Sequence, residues 1–210
     1  GLLTRGHRVL PYCPRCGTVL SSHELSLGYQ EVRDRSVYVT FPLADGSGRE
    51  LVVWTTTPWT LPSNVAAAVH PGLEYGEYVL PDGRVLVCAV ARAGSIVAAD
   101  RGGPEGGPLT LGPLERRARR RGSELAGLAY ARPLDVVPLP AEGRAQVVVA
   151  GDFVTAEDGS GIVHLAPAFG ADDYAAAQRE GLAILRPVAA DGSFRGTSWP
   201  ELEGRLATDD

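Results

Sequence analysis

The chain has 210 residues, 44% hydrophobic and 21% charged, with 20 basic against 25 acidic side chains and a net charge of −5. That size bounds it to one ordinary domain, or one with a small appendage; the composition is globular, and the acidic balance excludes a general nucleic-acid coat while leaving room for a local basic site. No run approaches the ~20 apolar residues of a membrane helix, and no apolar core follows Gly1–Arg5 as it would in a signal peptide, so a cytoplasmic protein without a membrane partner is expected. All the basic residues are arginine, which excludes Schiff-base or general-base chemistry by lysine. The lack of methionine suggests a piece of a longer protein, and three cysteines cannot form a disulfide framework without a leftover thiol, which fits a reducing compartment.

In chain order, residues 1–30 read as a leading segment, 31–190 as the main domain and 191–210 as a closing segment. The leading segment carries Cys13-Pro14-Arg15-Cys16-Gly17, a knuckle with two thiols at metal-ligand spacing. Residues 32–41 alternate apolar and polar as a strand does. A turn at Asp45–Gly48 leads to a second strand, Glu50–Trp54. In the Thr55–Asn64 segment, Pro58 and Pro62 forbid a regular helix or a central strand. Val65–Val69 is a short apolar strand. Glu74–Leu80 and Arg84–Ala89 flank Pro81-Asp82-Gly83 as a hairpin. Residues 89–99 suggest a helix despite Gly94, and 101–113 a flexible Gly/Pro-rich loop. After the arginine cluster at 116, 117, 119, 120 and 121, Ala145–Ala150 and Gly161–Leu165 read as buried strands. Asp172–Glu180 reads as a helix with acids in its first turn, stopping at Gly181. Many short strands with few helices imply a mixed α/β, barrel-like domain with short flanking helices.

Two segments carry chemistry. Residues 54–62 hold four threonines, two tryptophans and two prolines. Proline stiffens the backbone and threonine hydroxyls both donate and accept hydrogen bonds, so such a loop can grip a polar ligand; it could equally be an edge loop whose threonines satisfy local backbone groups. The second segment, Gly159–Tyr174, runs strand, turn, helix. Its His164 could be a structural core histidine, and Asp172 or Asp173 a helix cap. One cap needs only one of them, which leaves the other available. Arg116–Arg121 reads either as a solvated face or as a phosphate contact; a strand would put Arg117, Arg119 and Arg121 on one side. Cys88 lies in an apolar run and reads as a packing residue.

Tyr12–Gly17, Ser21-Ser22-His23-Glu24, Trp54–Asn64 and Gly159–Tyr174 together resemble the editing domain of isoleucyl-tRNA synthetases, the insertion named connective peptide 1. The Trp-Thr-Thr-Thr-Pro-Trp-Thr-Leu-Pro string is the most specific element. Ser160 stands where that family usually has threonine and keeps the hydroxyl.

The resemblance implies a hydrolase for misacylated tRNA. A synthetic pocket cannot strongly reject an amino acid one methylene smaller, a limit for which this enzyme family is itself the standard illustration; a second, smaller sieve removes valine from valyl-tRNA(Ile), with valyl-adenylate as a further option. An aminoacyl ester is already activated, so hydrolysis needs a positioned water and stabilised charge on the carbonyl oxygen. By family position Asp173 pairs with the substrate's α-ammonium, with Asp172 as neighbour. Thr57 and Thr60 are the expected catalytic threonines, holding the terminal adenosine, the amino acid or the water. Thr55, Thr56, Trp59, Asn64 and His164 complete the substrate site, His164 as a steric wall. The HIGH and KMSKS signatures of the synthetic domain are absent from the sequence, so ligase activity is not expected.

The partners implied are a tRNA 3′ end carrying valine and the rest of the parent synthetase, with the domain itself a monomer. No cofactor is expected. Cys13 and Cys16 supply only half of a tetrahedral zinc site, neither His7 nor His23 has clear ligand spacing, and zinc is expected only in a full-length parent, leaving the fragment's N-terminal segment mobile. The competing readings are a zinc-ribbon-like nucleic-acid-binding module without catalysis, which rests on the knuckle and the arginines alone, and a free-standing trans-editing protein.

Overall fold

The computed structural model describes residues 2–3, 6–29, 36–80, 82–99, 108–110 and 115–207. The leading segment forms a two-stranded ribbon, β1 (Tyr12–Cys13) with β2 (Thr18–Val19), followed by helix α1 (Ser22–Ser26), which Ser21 and Glu24 close with a reciprocal capping box.

The body is one curled mixed sheet. Its strands are β3 (Val37–Pro42), β4 (Arg49–Thr55), β5 (Ala66–Val69), β6 (Glu74–Val79), β7 (Val85–Ala89), β10 (Glu115–Arg121), β11 (Val147–Ala150) and β12 (Ile162–Leu165). The order across the sheet is β10-β6-β7-β4-β12-β5-β11, with β3 paired to the other side of β4. β4 is the hub. It runs antiparallel to β3 along its length, pairs its first half with β7, and meets β12 only where Trp54 lies opposite Val163. The sheet therefore splits beside the end of β4, and the Ala89 N–H to Ser160 carbonyl bond of 2.9 Å ties the two branches together.

The alternation of side chains along these strands makes two large cores beside a smaller one of Val52, Tyr78, Leu80, Leu86, Cys88 and Ile96. Phe41, Leu51, Val53, Val69, Tyr75, Val87, Tyr130 and Ile162 pack in one. Val65, Ala66, Ala68, Val147, Val149 and Leu165 pack in the other, against Ala176 and Ala177 of helix α3 (Ala171–Glu180). Because β5 is buried on both faces, its small Ala-Ala-Ala-Val sequence suits it. Helix α3 ends at Gly181 with φ of 64°, the left-handed stop expected of glycine there.

The hairpin over 74–89 and the strands ending at 69, 150 and 165 form as the sequence implies. Three segments differ. Residues 89–99 are not a helix: a 3-10 segment, Val90–Ser95, gives way to β8 (Val97–Ala99), paired antiparallel with β9 (Pro108–Thr110). Gly94 and the β-branched pair Ile96-Val97 weaken the helix. The expected loop over 101–113 thus holds a strand at 108–110, and its other residues lie outside the described ones, as does the start of the strand expected over 32–41. Residues 58–63 are a 3-10 helix rather than an irregular loop, because proline's fixed φ suits that turn and the i→i+3 pattern needs few N–H groups.

The arginine cluster is strand β10 followed by the short helix α2 (Gly122–Leu125). A bulge between Arg116 and Ala118 interrupts the expected simple alternation. Arg119 pairs with Glu74, while Arg120 joins Arg49 on the buried carboxylate of Glu77. No helix among the described residues is long and apolar enough to cross a membrane.

Candidate active site

The site lies where β4 ends and β12 runs beside it. β4 delivers Trp54 and Thr55, the 3-10 turn carries Trp59 and Thr60, β12 ends at His164-Leu165, and α3 begins at Ala171. Between them is a cleft of about 330 Å³ whose lining includes Thr55, Thr56, Thr57, Trp59, Thr60, His164 and Asp173. Seven of the nine substrate and catalytic residues expected from sequence therefore share one cavity.

The threonine turn is internally braced. The Thr57 N–H donates to Thr55 Oγ1 at 3.1 Å, and Thr60 N–H and Oγ1–H both donate to the Thr57 carbonyl, at 3.0 and 2.7 Å. Thr60's only hydroxyl proton is thus committed to the turn. Thr57 is exposed, its hydroxyl meeting that of Thr55 only at 3.4 Å, which leaves it available to a ligand. Trp59 stands edge-on to Phe169, ring centroids 5.0 Å apart.

His164 is 7% exposed and sits in a polar chain whose donors can be assigned. The Asn64 Nδ2 faces the Ala66 carbonyl at 2.9 Å, an obligatory acceptor, so that atom must be the amide nitrogen. The other end of the amide, Oδ1, accepts the Tyr130 hydroxyl at 2.6 Å. The remaining Nδ2 hydrogen points at His164 Nδ1, 3.2 Å away, which makes Nδ1 an acceptor. The neutral imidazole therefore carries its proton on Nε2 and donates it to Thr60 Oγ1 at 2.7 Å. Burial opposes the charge and pushes the imidazole pKa down to about 4; protonation would also put a second N–H against the amide N–H. The neutral ring lines the cleft and is held from both nitrogens.

Asp173 occupies the third position of α3, half-buried, with Oδ2 accepting the Ala166 N–H at 2.9 Å. Desolvation, with Asp172 nearby, raises its pKa above the ordinary carboxylate value; the Ala166 bond acts the other way. A carboxylate has about four acceptor positions, so a group raised by desolvation gains from an arriving cation. Gly170 allows this placement: a Cβ there would come within 2.8 Å of the Asp173 carboxyl carbon. Gly159, with φ of 64°, similarly lets the preceding turn close on the Trp54 ring, where a Cβ would lie 2.6 Å from the indole.

Two expected residues are elsewhere. Asn64 is fully buried behind His164 and orients it rather than facing the cleft. Asp172 is exposed and outside the cleft lining. Ser160 is buried in the turn before β12, its hydroxyl near the Ile162 N–H and carbonyl. Cys13 and Cys16 form a thiol knuckle, with the Cys16 N–H directed at Cys13 Sγ at 3.3 Å. Their mutual bond lowers the Cys13 pKa and raises that of Cys16. Among the described residues no group of three or more His, Cys, Asp or Glu side chains is placed to hold a metal ion. Sequence reading missed Tyr130 and Phe169. Phe169 lies within the Gly159–Tyr174 segment but is apolar; Tyr130 is 66 residues from its partner Asn64, and no local pattern marks it.

The fold is that of the editing domains of aminoacyl-tRNA synthetases. It matches the Plasmodium knowlesi cytosolic leucyl-tRNA synthetase editing domain with a TM-score of 0.53 at 14% identity, covering 71% of this chain and 64% of that one. It matches the GlLeuRS CP1 domain with a TM-score of 0.51 at 17% identity, covering 69% and 59%. In sequence, the chain is 48% identical over 198 residues to the isoleucine–tRNA ligase of Thermobifida fusca, covering 92% of this chain and 17% of the ligase. It is 41% identical over 209 residues to that of Bacillus thuringiensis, covering 100% and 18%. The chain belongs to the isoleucine–tRNA ligase family, as the counterpart of a segment spanning less than a fifth of the length of these relatives. No protein-family profile matches it.

Proposed function

We propose that this chain is a hydrolytic editing domain that removes valine from the 3′ end of misacylated tRNA and spares the isoleucyl ester. The observation that carries the reading is the pairing, across one small cleft, of a desolvated carboxylate, Asp173, with a neutral histidine wall, His164, beside an exposed threonine hydroxyl. That set suits a small amino acid with a free α-ammonium.

The ammonium binds Asp173 and relieves its desolvation. This fixes the ester carbonyl beside the threonine turn, and the exposed Thr57 Oγ1 holds the water or the developing oxyanion. Water oxygen bonds to the carbonyl carbon, the tetrahedral intermediate collapses, and the C–O bond to the terminal ribose breaks. The ribose oxygen takes up a proton from the attacking water, leaving free valine and intact tRNA. Neither Asp173, bound to the cation, nor His164, with its proton given to Thr60, needs to act as the base. A side chain one carbon longer than that of valine, such as isoleucine with its δ-methyl, meets the His164 ring, which cannot retreat because Asn64 and Thr60 hold it. The domain acts as a monomer in the cytoplasm, and the body of the parent synthetase delivers the tRNA.

The test is hydrolysis of valyl-tRNA(Ile) by the chain and by its Asp173→Ala variant. Rapid release of valine by the first and background release by the second supports the reading. Equal rates remove Asp173 from it.

A further inference from the structure

A second groove, of about 280 Å³, adjoins the cleft. Phe169 lines both, and Trp59 braces it from the cleft side. Across this groove stand Arg8, from the leading segment, and Arg186, from the stretch after α3, with His7 and Tyr174 beside them and Leu10 and Pro167 offering apolar surface.

The two arginines differ from most of the others. Arg49, Arg84, Arg119, Arg120, Arg132, Arg144, Arg179 and Arg195 are all engaged by carboxylates. Among the described residues Arg8 and Arg186 make no ion pair or hydrogen bond, in a chain of net charge −5. Two unpaired guanidinium groups contributed by distant parts of the sequence, lining one groove next to the reacting site, suit the charge and the paired acceptor oxygens of a phosphodiester. The acidic cleft beyond Phe169 has the opposite preference, since it takes an ammonium.

We propose that this groove is a nucleotide subsite: Arg8 and Arg186 hold the phosphodiester on the 5′ side of the terminal adenosine, and the preceding nucleotide packs against Tyr174 and the apolar surface. This rests on the esterase reading above and adds the polarity of the nucleic acid across the site. The esterified adenosine lies on the His164 side of Phe169, and the chain leaves toward the two segments that begin and end the domain.

The probes are the valyl ester of adenosine, which has no phosphate, and the valyl ester of the dinucleotide CpA, which has the one in question. The chain should hydrolyse the dinucleotide ester with a KM lower by about tenfold, the scale of one well-made charged contact. That advantage should shrink as salt rises from 50 to 300 mM. In the Arg8→Gln/Arg186→Gln variant, whose altered side chains are both exposed, the two KM values should converge. A variant that keeps the wild-type preference, or a wild type without one, overturns the subsite while leaving the esterase standing. Failure to hydrolyse either ester overturns the esterase and the subsite together.

Discussion

Replacing Tyr130 by phenylalanine removes one oxygen from behind the cleft lining, yet the geometry predicts effects on both stability and selectivity. The ring can stay where it is, 5.1 Å from Phe41 between centroids and 2% exposed. What is lost is the hydroxyl that donates to Asn64 Oδ1 at 2.6 Å. Asn64 is fully buried, so water cannot replace that donor. A buried acceptor left without its partner costs about 1–3 kcal/mol, which for a chain of this length lowers Tm by about 2–12 °C. The Ala66 carbonyl still holds the amide nitrogen in place, so the His164 tautomer should survive, but the amide is now anchored at one end only. The wall it supports loosens, and isoleucyl-tRNA hydrolysis should rise from background while valyl-tRNA hydrolysis changes less than threefold. Thermal unfolding and paired deacylation assays measure these, and 15N imidazole shifts report whether His164 keeps its proton on Nε2. A Tm within 1 °C of the wild type together with unchanged selectivity would refute the chain of support running from Tyr130 to His164.

Asp173→Asn should abolish valyl-tRNA hydrolysis yet leave Tm at pH 7 equal or higher, because burial raises the carboxyl pKa and a neutral amide avoids that penalty while its oxygen can still accept from Ala166; a clear loss of Tm would contradict this. For His164 the folded pKa of about 4 lies below the ordinary 6.5, so the folded state binds fewer protons than the unfolded one between those values. Stability should fall as pH drops through that window, by up to about 3 kcal/mol, and subtracting the pH profile of His164→Gln isolates the contribution. His164→Gln should leave the shape of the pH profile of valyl-tRNA hydrolysis unchanged, whereas a general-base imidazole with a pKa of about 4 would take an inflection away with it. His164→Ala, if folded by circular dichroism, should retain valyl-tRNA hydrolysis and gain isoleucyl-tRNA hydrolysis; a folded, active variant that still spares the isoleucyl ester removes the wall. Purified chain should carry well below one zinc per molecule by elemental analysis, since Cys13 and Cys16 are two ligands of the four needed.

The parts of the fold legible in sequence were those with a strong local signal. Hairpin 74–89 announced itself through Pro81-Asp82-Gly83, and α3 through its acidic first turn and Gly181. Residues 89–99 look helical in sequence because they are alanine-rich, but that propensity yields to the pairing of 97–99 with 108–110, a partner that no local pattern reveals. The site shows the same division. Thr55–Thr60, His164 and Asp173 stood out as polar groups in stiff or strand-ending positions. Asn64 was placed in the right loop, but its direction, away from the cleft and onto His164, depends on the β12 strand packed behind it. Tyr130 was invisible because its importance comes from a contact between separate segments: bridges to Leu43 on one side, and its N–H bond to Gln146 on the other, carry the hydroxyl to Asn64.

The most direct test of the account is the hydrolysis of valyl-tRNA(Ile) and isoleucyl-tRNA(Ile) by this chain, side by side at pH 7 and at equal enzyme concentration. A small cleft with an ammonium-binding carboxylate and a rigid neutral wall predicts that valine is released well above the spontaneous rate while isoleucine is released at that rate. Equal acceleration of both esters would contradict the sieve. No acceleration of either would contradict the esterase itself.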